Sequence, residues 1–415
     1  MHEIDVAIIG AGPYGLSLAA HLKVLRVEYQ VFGTPMSFWR DCMPTGMELK
    51  SEGSACDLFD SGREFTIEEF YKEISRPFTG RVIVPAEIFL AYGLEFQKRF
   101  VQDVDSRAVV GVNRSGEKFI LRLQDGGVAR AARVVVATGI RDYAHVPEAL
   151  RVLPKDFVTH SAQYGSVDHL ADRQVVVIGG GASAVDVAWS LFQRGVEVSV
   201  LCRRPKINFH PEPPPRNWYS AIRSPDSPIG GGWKLFFYSR APHIFRLLPE
   251  ETRHRIVANT LGPFPGWFMT DRVPGRVPIL GGLNVTAVEV IENRITLKTQ
   301  AGDGGTRTLT ADHVVTATGY RVDINRLVFL DDALKKRLRT SGGAPVLSAS
   351  FESSEPGLYF VGVASAATFG PVMRFVAGAE YTVRKLSRRL ASARRSPRPQ
   401  SPSSKIQLVR RGGQS

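Results

Sequence analysis

The sequence is poor in cysteine, with three among 415 residues, at positions 42, 56 and 202. No two of them form a C-x-x-C pair, and their spacing fits neither a disulfide framework nor a zinc site. The lack of a vicinal thiol pair excludes oxidoreductases that relay electrons through two cysteines, such as thioredoxin reductase and glutathione reductase. We expect each cysteine to be a small buried apolar residue.

Long apolar runs are also missing. No uninterrupted stretch is long enough to span a bilayer, and the N-terminal apolar segment lacks the basic start of a signal peptide and is interrupted by glycines. We therefore expect a cytoplasmic protein without a transmembrane segment. Hydrophobic residues make up 43% and charged residues 22% of the chain, which is typical of a globular protein, and the length favours two or three domains.

Acidic residues are absent from Arg388 to the C-terminus, where eight Lys and Arg residues lie. This segment therefore carries eight of the thirteen excess positive charges of the chain. It is rich in Ser, Pro and Arg, which cannot build a core, so we expect a basic disordered tail over 391–415. The remaining charge of the body is small, and we expect no specific nucleic-acid binding.

Two glycine-rich turns of the same type lie about 170 residues apart. Each follows a strand-like apolar run and opens a helix-like stretch, which is the context that supports a dinucleotide-binding turn. The first two glycines allow a tight turn and close approach of a pyrophosphate, the third small residue allows helix–sheet packing, and the helix N-terminus attracts phosphate. The predicted cofactor-binding residues are Gly10, Gly12, Pro13, Tyr14 and Gly15 in the first turn, and Gly179, Gly181, Ser183 and Ala184 in the second.

The residues after the second strand of each unit distinguish the two nucleotides. An acidic residue commonly stands there to bind a ribose 2′-hydroxyl, but the first unit has Gly33, so that contact is missing or comes from elsewhere. The second unit has Arg203 and Arg204, and arginine accommodates a 2′-phosphate. This pattern favours NADPH over NADH in the second unit; the alternative is a solvated arginine pair.

Three further motifs are 38–40 (Phe-Trp-Arg), 160–164 (His-Ser-Ala-Gln-Tyr) and 317–320 (Ala-Thr-Gly-Tyr). Together they resemble motifs of the class B flavoprotein monooxygenases, over about residues 1–390. The first resembles a loop beside the flavin, the second resembles the second half of the group's fingerprint, and the third matches the group's Ala-Thr-Gly-Tyr. The turn at 12–19 is similar to that of amine N-hydroxylases. Pro154 and Asp156 replace the Phe and Gly of the fingerprint, which makes a Baeyer–Villiger assignment less attractive and leaves the subfamily open.

The resemblance implies an α/β fold with two Rossmann-like doubly wound dinucleotide-binding domains, β-meanders and a helical insert. It implies FAD in the N-terminal unit and NADPH in the second. The implied domains are 1–165 (first part of the FAD-binding domain), 166–330 (NADPH-binding domain), 331–390 (return to the FAD-binding domain) and the 391–415 tail. The insert, at about 205–280, is rich in Pro, Trp and Phe; it is a candidate lid or substrate wall, or a structural helical subdomain.

The candidate site residues follow from these motifs. His160, Ser161 and Tyr164 are expected to position the cofactors at their junction, and Lys50 to stabilise negative charge on reduced flavin or peroxide. Further predicted cofactor contacts are Trp39, Ser51, Thr138, Gly139, Thr318, Gly319, Tyr320, Arg203, Arg204 and Gly362.

The resemblance implies an enzyme whose cofactor carries the chemistry. NADPH would reduce FAD, O2 would give a C4a-(hydro)peroxyflavin, and one oxygen atom would enter a small organic substrate, with N-hydroxylation one form. The expected partners are this substrate and O2, and a homo-oligomer is left open. Two alternatives remain: an NADPH-dependent flavin reductase or dehydrogenase without oxygenation, and a nucleotide-binding scaffold with little turnover.

Overall fold

The structure is a computed structural model, which describes residues 3–163, 168–213, 222–262 and 264–393. Its strands are β1 (Glu3–Ile9), β2 (Tyr29–Phe32), β3 (Glu48–Glu52), β4 (Ile83–Pro85), β5 (Val104–Asp105), β6 (Val109–Ser115), β7 (Lys118–Leu123), β8 (Val128–Val136), β9 (Val158–His160), β10 (Gln174–Ile178), β11 (Glu197–Cys202), β12 (Ile279–Gly281), β13 (Leu283–Ile291), β14 (Arg294–Ala301), β15 (Thr306–Ala311), β16 (His313–Thr316), β17 (Thr340–Ser341), β18 (Ala344–Pro345) and β19 (Leu358–Phe360).

The α-helices alternate with these strands in the two halves of the chain. Those within the described ranges are α1 (Pro13–Val24), α2 (Ser37–Asp41), α3 (Ile67–Glu73), α4 (Ala86–Phe100), α5 (Ala182–Gln193), α6 (Trp233–Arg240), α7 (Pro242–Phe245), α8 (Glu250–Asn259), α9 (Asp332–Arg337), α10 (Ala366–Phe369) and α11 (Gly378–Ala393).

The first sheet has the order β5-β2-β1-β8-β7-β6, and β19 also pairs with β8. Strands β1, β2, β5, β8 and β19 run parallel to one another, whereas β7 and β6 continue the sheet from β8 as an antiparallel meander. The unit β1-α1-β2 is thus a parallel βαβ unit around the first glycine-rich turn. Because β19 returns beside β8, the C-terminal segment belongs to the same sheet as the N-terminus.

The second sheet is wholly parallel, in the order β12-β11-β10-β16-β9. Its unit β10-α5-β11 contains the second glycine-rich turn. The antiparallel strands β13, β14 and β15 form a separate sheet that covers one face of it, with an apolar core between them. The predicted α/β fold with two doubly wound units and β-meanders is confirmed.

The insert at 205–280 contributes to both apolar cores. Ile229, Tyr238 and Phe245 lie in the core of the first sheet. Met269 and Val273 lie in the core that packs between α5 and the second sheet. The insert is helical, as expected: its described residues include α6, α7 and α8, and its apolar side chains are shared between the two units.

The remaining features of the described chain concern membranes and thiols. No helix of the described residues is long and apolar enough to cross a bilayer. All three cysteines are free and buried. Burial raises the pKa of the Cys56 thiol to about 12, and it also raises the pKa of the other two, so none is poised as a thiolate.

Candidate functional site

The first glycine-rich turn is built so that only glycine fits two of its positions. Gly10 has φ +114°, and a Cβ there would lie 2.4 Å from the carbonyl oxygen of Ala137. A Cβ at Gly15 would lie 1.9 Å from the Gly10 carbonyl oxygen. By contrast, a Cβ at Gly12 would meet no atom within 4 Å. Gly12 therefore faces open space at the start of α1, as a turn that receives a pyrophosphate requires.

The second turn repeats this construction. Gly179 has φ +152°, and its Cβ would lie 2.3 Å from the Ala317 carbonyl oxygen. Gly181 is the N-cap of α5, which places Ser183 in the first helical turn, and Ala184 is buried against the sheet. Both turns thus press against an Ala-Thr-Gly corner of a neighbouring strand. The residues present fit a dinucleotide at each turn.

The two Ala-Thr-Gly corners are joined by the segment 140–147, which we call the strap. Beyond the first corner, Tyr143 accepts a backbone hydrogen bond from Arg321 (2.8 Å) and His145 donates one to Gly319 (2.9 Å). The Thr318 hydroxyl donates to the His145 carbonyl oxygen. Gly139 and Gly319 have φ values of +73° and +85°, and a Cβ at either would meet nothing within 4 Å. The strap therefore holds the carboxyl ends of the two parallel sheets close together.

His160 and Ser161 lie at this junction. His160 ends β9, is 4% exposed, and accepts a hydrogen bond at Nδ1 from the Ala162 amide (2.9 Å). Its ring lies edge-on to Tyr320, with centroids 5.5 Å apart. His160 Nε2 and Ser161 Oγ are buried polar atoms with no hydrogen-bond partner among the described residues. Such atoms are rare in native proteins and suggest a missing ligand or water. Tyr164 lies outside the described residues.

The pKa values of this cluster are set by burial. Burial lowers the pKa of His160 to about 4, so its imidazole is neutral at pH 7. Burial also raises the pKa of Tyr320 to about 12, so the phenol keeps its proton. The junction thus offers uncharged donors and acceptors, which suits positioning of neutral rings better than proton release.

Lys50 is held by an acid from the other unit. Its ammonium pairs with the carboxylate of Asp186 on α5 and donates to the Glu48 carbonyl oxygen at 3.2 Å. The Asp186 side chain is 6% exposed and that of Lys50 22% exposed. Beside this pair, Arg272 donates to the Glu48 carboxylate at 2.7 Å. The prediction that Lys50 stabilises reduced flavin is not tested, but the structure shows its charge already balanced by Asp186.

Tyr14 and Gly362 join the first turn to the C-terminal segment. The Tyr14 hydroxyl donates to the carbonyl oxygens of Met373 (3.1 Å) and Phe375 (2.9 Å). Gly362 has φ +66°, which favours glycine, and a Cβ there would be in ordinary van der Waals contact with the Tyr14 ring, 3.6 Å from Cδ2. Burial raises the pKa of Tyr14 well above its usual value. The Tyr14 side chain thus fixes the chain that follows β19 against the first turn.

The other predicted contacts lie around the two turns. Trp39 on α2 is half-buried and packs edge-on against Phe89, with centroids 4.5 Å apart. Ser51 lies on β3 next to Lys50 and is half-buried. Arg203 and Arg204 follow β11 and are exposed.

Sequence reasoning missed Asp186. It lies in the apolar face of α5, between Val185 and Val187, where an acid costs free energy unless it is paired. Burial raises the pKa of this carboxyl, and the Lys50 ammonium opposes that effect. A charged residue within an otherwise apolar helix was the signal that could have found it.

Comparisons with known proteins agree with this geometry. A family model for pyridine nucleotide-disulphide oxidoreductases matches residues 65–222. Among solved structures, the ornithine hydroxylase PvdA from Pseudomonas aeruginosa has a TM-score of 0.75 at 18% identity, covering 94% of this chain and 99% of that one. The ornithine N-hydroxylase KtzI from Kutzneria has a TM-score of 0.73 at 17% identity, covering 95% and 100%. This chain has the fold of the flavin-dependent N-hydroxylases. The resemblance to class B flavoprotein monooxygenases is thereby confirmed at the level of the fold.

Sequence relatives are more mixed. A dihydrolipoyl dehydrogenase from Chlorobaculum parvum is 29% identical over 49% of this chain and 44% of its own length. A ferredoxin–NADP reductase from Ignicoccus hospitalis is 28% identical over 48% of this chain and 56% of its own. The chain thus spans about half the length of the curated relatives it matches.

Proposed function

We propose that the protein is an FAD- and NADPH-dependent monooxygenase that inserts one oxygen atom from O2 into a small organic substrate. An amine nitrogen is the favoured acceptor. The observation that carries the proposal is the strap: it joins the Ala-Thr-Gly corners that lie against the two glycine-rich turns, at the carboxyl ends of parallel strands, where open α/β sheets bind ligands. The fold shared with the ornithine hydroxylases supports it.

In this proposal, residues 1–165 and 331–390 hold FAD and 166–330 hold NADPH. The FAD pyrophosphate would lie at Gly12 and the start of α1, and the NADPH pyrophosphate at Gly181 and the start of α5. Arg203 and Arg204 would bind the 2′-phosphate. Bound FAD, once reduced by NADPH, would supply the activation of O2.

The chain's own contribution is positioning and exclusion of water. His160 Nε2 and Ser161 Oγ, which lack partners in the described residues, would hydrogen-bond a cofactor amide or ribose. Because His160 is neutral at pH 7 and its Nδ1 accepts from the Ala162 amide, its Nε2 carries the proton and donates without adding charge near the reacting rings. Oriented, dry packing of the reactants is what accelerates such a reaction.

The test is an oxygen balance on the FAD-loaded protein. With NADPH and a panel of amines, sulfides, ketones and heteroaromatics, we expect at least one substrate to raise NADPH oxidation while hydrogen peroxide release falls. With ¹⁸O2, one labelled atom should appear in the product. NADPH oxidation that yields only hydrogen peroxide with every substrate would contradict oxygenation.

A flavin reductase is the second candidate, favoured by the reductases among the sequence relatives. It would use a quinone or a protein acceptor, because all three cysteines are buried and free and cannot pass electrons as a dithiol. Fast NADPH-dependent reduction of a quinone, without ¹⁸O incorporation into any substrate, would favour this function. A colourless protein that does not take up FAD would favour neither.

A further inference from the structure

A cavity of about 150 Å3 lies between α8, the β17–β18 hairpin and α10. The residues that line it include Arg246, Arg253 and His254. The volume corresponds to roughly ten water-sized positions. This cavity is separate from both glycine-rich turns and from the strap.

Arg253 carries an unmet hydrogen-bond donor at this cavity. One of its terminal nitrogens donates to the Ala367 carbonyl oxygen at 2.9 Å. Its Nε is buried and has no partner in the described part of the chain. A buried guanidinium nitrogen without an acceptor lowers the stability of the fold. No described residue provides an acceptor for this nitrogen.

The charges around the cavity favour an anion. No carboxylate of the described residues lies within ion-pair distance of Arg246 or Arg253. The nearby acid, Glu250, is hydrogen-bonded at the cavity wall: its carboxylate accepts the Ser341 hydroxyl, which in turn lies 2.5 Å from His254 Nε2. A planar guanidinium binds carboxylate and phosphate oxygens with paired hydrogen bonds. An oxyanion in the cavity would therefore compensate the charge of these two arginines.

The cavity is also close to the predicted flavin side of the protein. Its wall residues Ala367 and Thr368 lie on α10, which directly follows Gly362–Ser365. A Cβ at Gly362 would lie 3.6 Å from the ring of Tyr14 in the first glycine-rich turn. The cavity therefore borders the segment of chain that follows β19 and packs near this turn.

We propose that Arg246 and Arg253 form an oxyanion subsite that binds the carboxylate or phosphate group of the substrate. Only the identification of the bound ligand as the substrate rests on the proposed monooxygenase function. The subsite itself would exist whatever reaction the protein catalyses. It would select acidic compounds over uncharged or purely cationic ones of the same length.

Binding is measured by calorimetry on the FAD-loaded protein saturated with NADP⁺, so that phosphate sites at the nucleotide turns are filled. The probes are 5-aminopentanoate, pentylamine and inorganic phosphate. We expect 5-aminopentanoate to bind about tenfold or more tightly than pentylamine. R253Q and R246Q should remove that advantage. R255Q, which removes an exposed arginine on the same helix, is the matched control and should keep it.

R246Q separates a loss of binding from a folding defect. R253Q also loses the hydrogen bond to Ala367, whereas R246Q loses no described side-chain hydrogen bond. If only phosphate binding depends on Arg246 and Arg253, the subsite holds and its ligand is a phosphate ester. If neither acid binds better than pentylamine, or if R255Q weakens binding as much as R246Q, the subsite is refuted. None of these outcomes depends on turnover, so a failed oxygenation test leaves the result readable.

Discussion

Removing Lys50 tests the ion pair between the two nucleotide units. In K50M, the Asp186 carboxylate would remain 6% exposed without its cation. It must then either stay charged in an apolar site or take up a proton. Loss of one member of a buried pair typically costs about 3–5 kcal/mol.

Protonation of Asp186 limits how much of the free energy of unfolding K50M can lose. Protonating an acid whose ordinary pKa is 3.8 costs about 4 kcal/mol at pH 7 and about 2 kcal/mol at pH 5. Burial already raises the pKa of Asp186, and without Lys50 that pKa rises further. The stability of K50M should therefore be highest below the ordinary pKa and fall as pH rises towards neutrality. We expect a loss of about 3–4 kcal/mol at pH 7 and of no more than about 2 kcal/mol at pH 5.

The assay is urea unfolding of the FAD-loaded protein at both pH values, together with the rate of flavin reduction by NADPH. The double variant K50M/D186L removes both charges and should recover most of the stability, with no added pH dependence. K72M removes an exposed, paired lysine on α3 and should leave the unfolding midpoint in place. An equal loss for K50M at pH 5 and pH 7 would refute the reasoning.

Three further predictions concern the turns and the junction. G15A should fail to fold or to bind FAD, because its Cβ would lie 1.9 Å from a backbone carbonyl oxygen. G12A should fold normally, because its Cβ would meet no atom within 4 Å, and should lose only FAD affinity, which an equilibrium titration measures. Replacing Arg203 and Arg204 by Gln should lower the preference for NADPH over NADH in kcat/KM by about tenfold; an unchanged ratio would assign the 2′-phosphate elsewhere. Because the pKa of His160 is about 4 in the fold, acidification from pH 6.5 to 4 should cost about 3 kcal/mol of stability through this group; H160N should flatten that dependence, and a parallel curve would contradict it.

The two turns could be predicted from the sequence because their geometry requires particular residues. Gly10 and Gly179 have positive φ and approach a backbone carbonyl, so no other residue type can replace them. The strands on either side are apolar and buried on both faces, which a short run of Val and Ile signals directly. Local rules therefore determine these elements.

The Lys50–Asp186 pair and the arginine subsite could not be predicted in this way. Lys50 and Asp186 are separated by 136 residues, and their contact depends on how the two sheets are placed. In the sequence, Arg246 and Arg253 have no feature that distinguishes them from other surface arginines. They line a common cavity only because α10 packs beside them. The packing of the insert could not be predicted for a related reason: its apolar residues contribute to two different cores.

The division of the insert between the cores limits how modular the two nucleotide units are. Tyr238 and Phe245 are embedded in one core and Met269 and Val273 in the other, within one stretch of chain. A chimera that exchanges 166–330 with another flavoprotein would disrupt the packing around Phe245. The core of the first sheet, in which Phe245 lies, would have to be redesigned as well. Heat should accordingly melt both halves in a single cooperative transition instead of two.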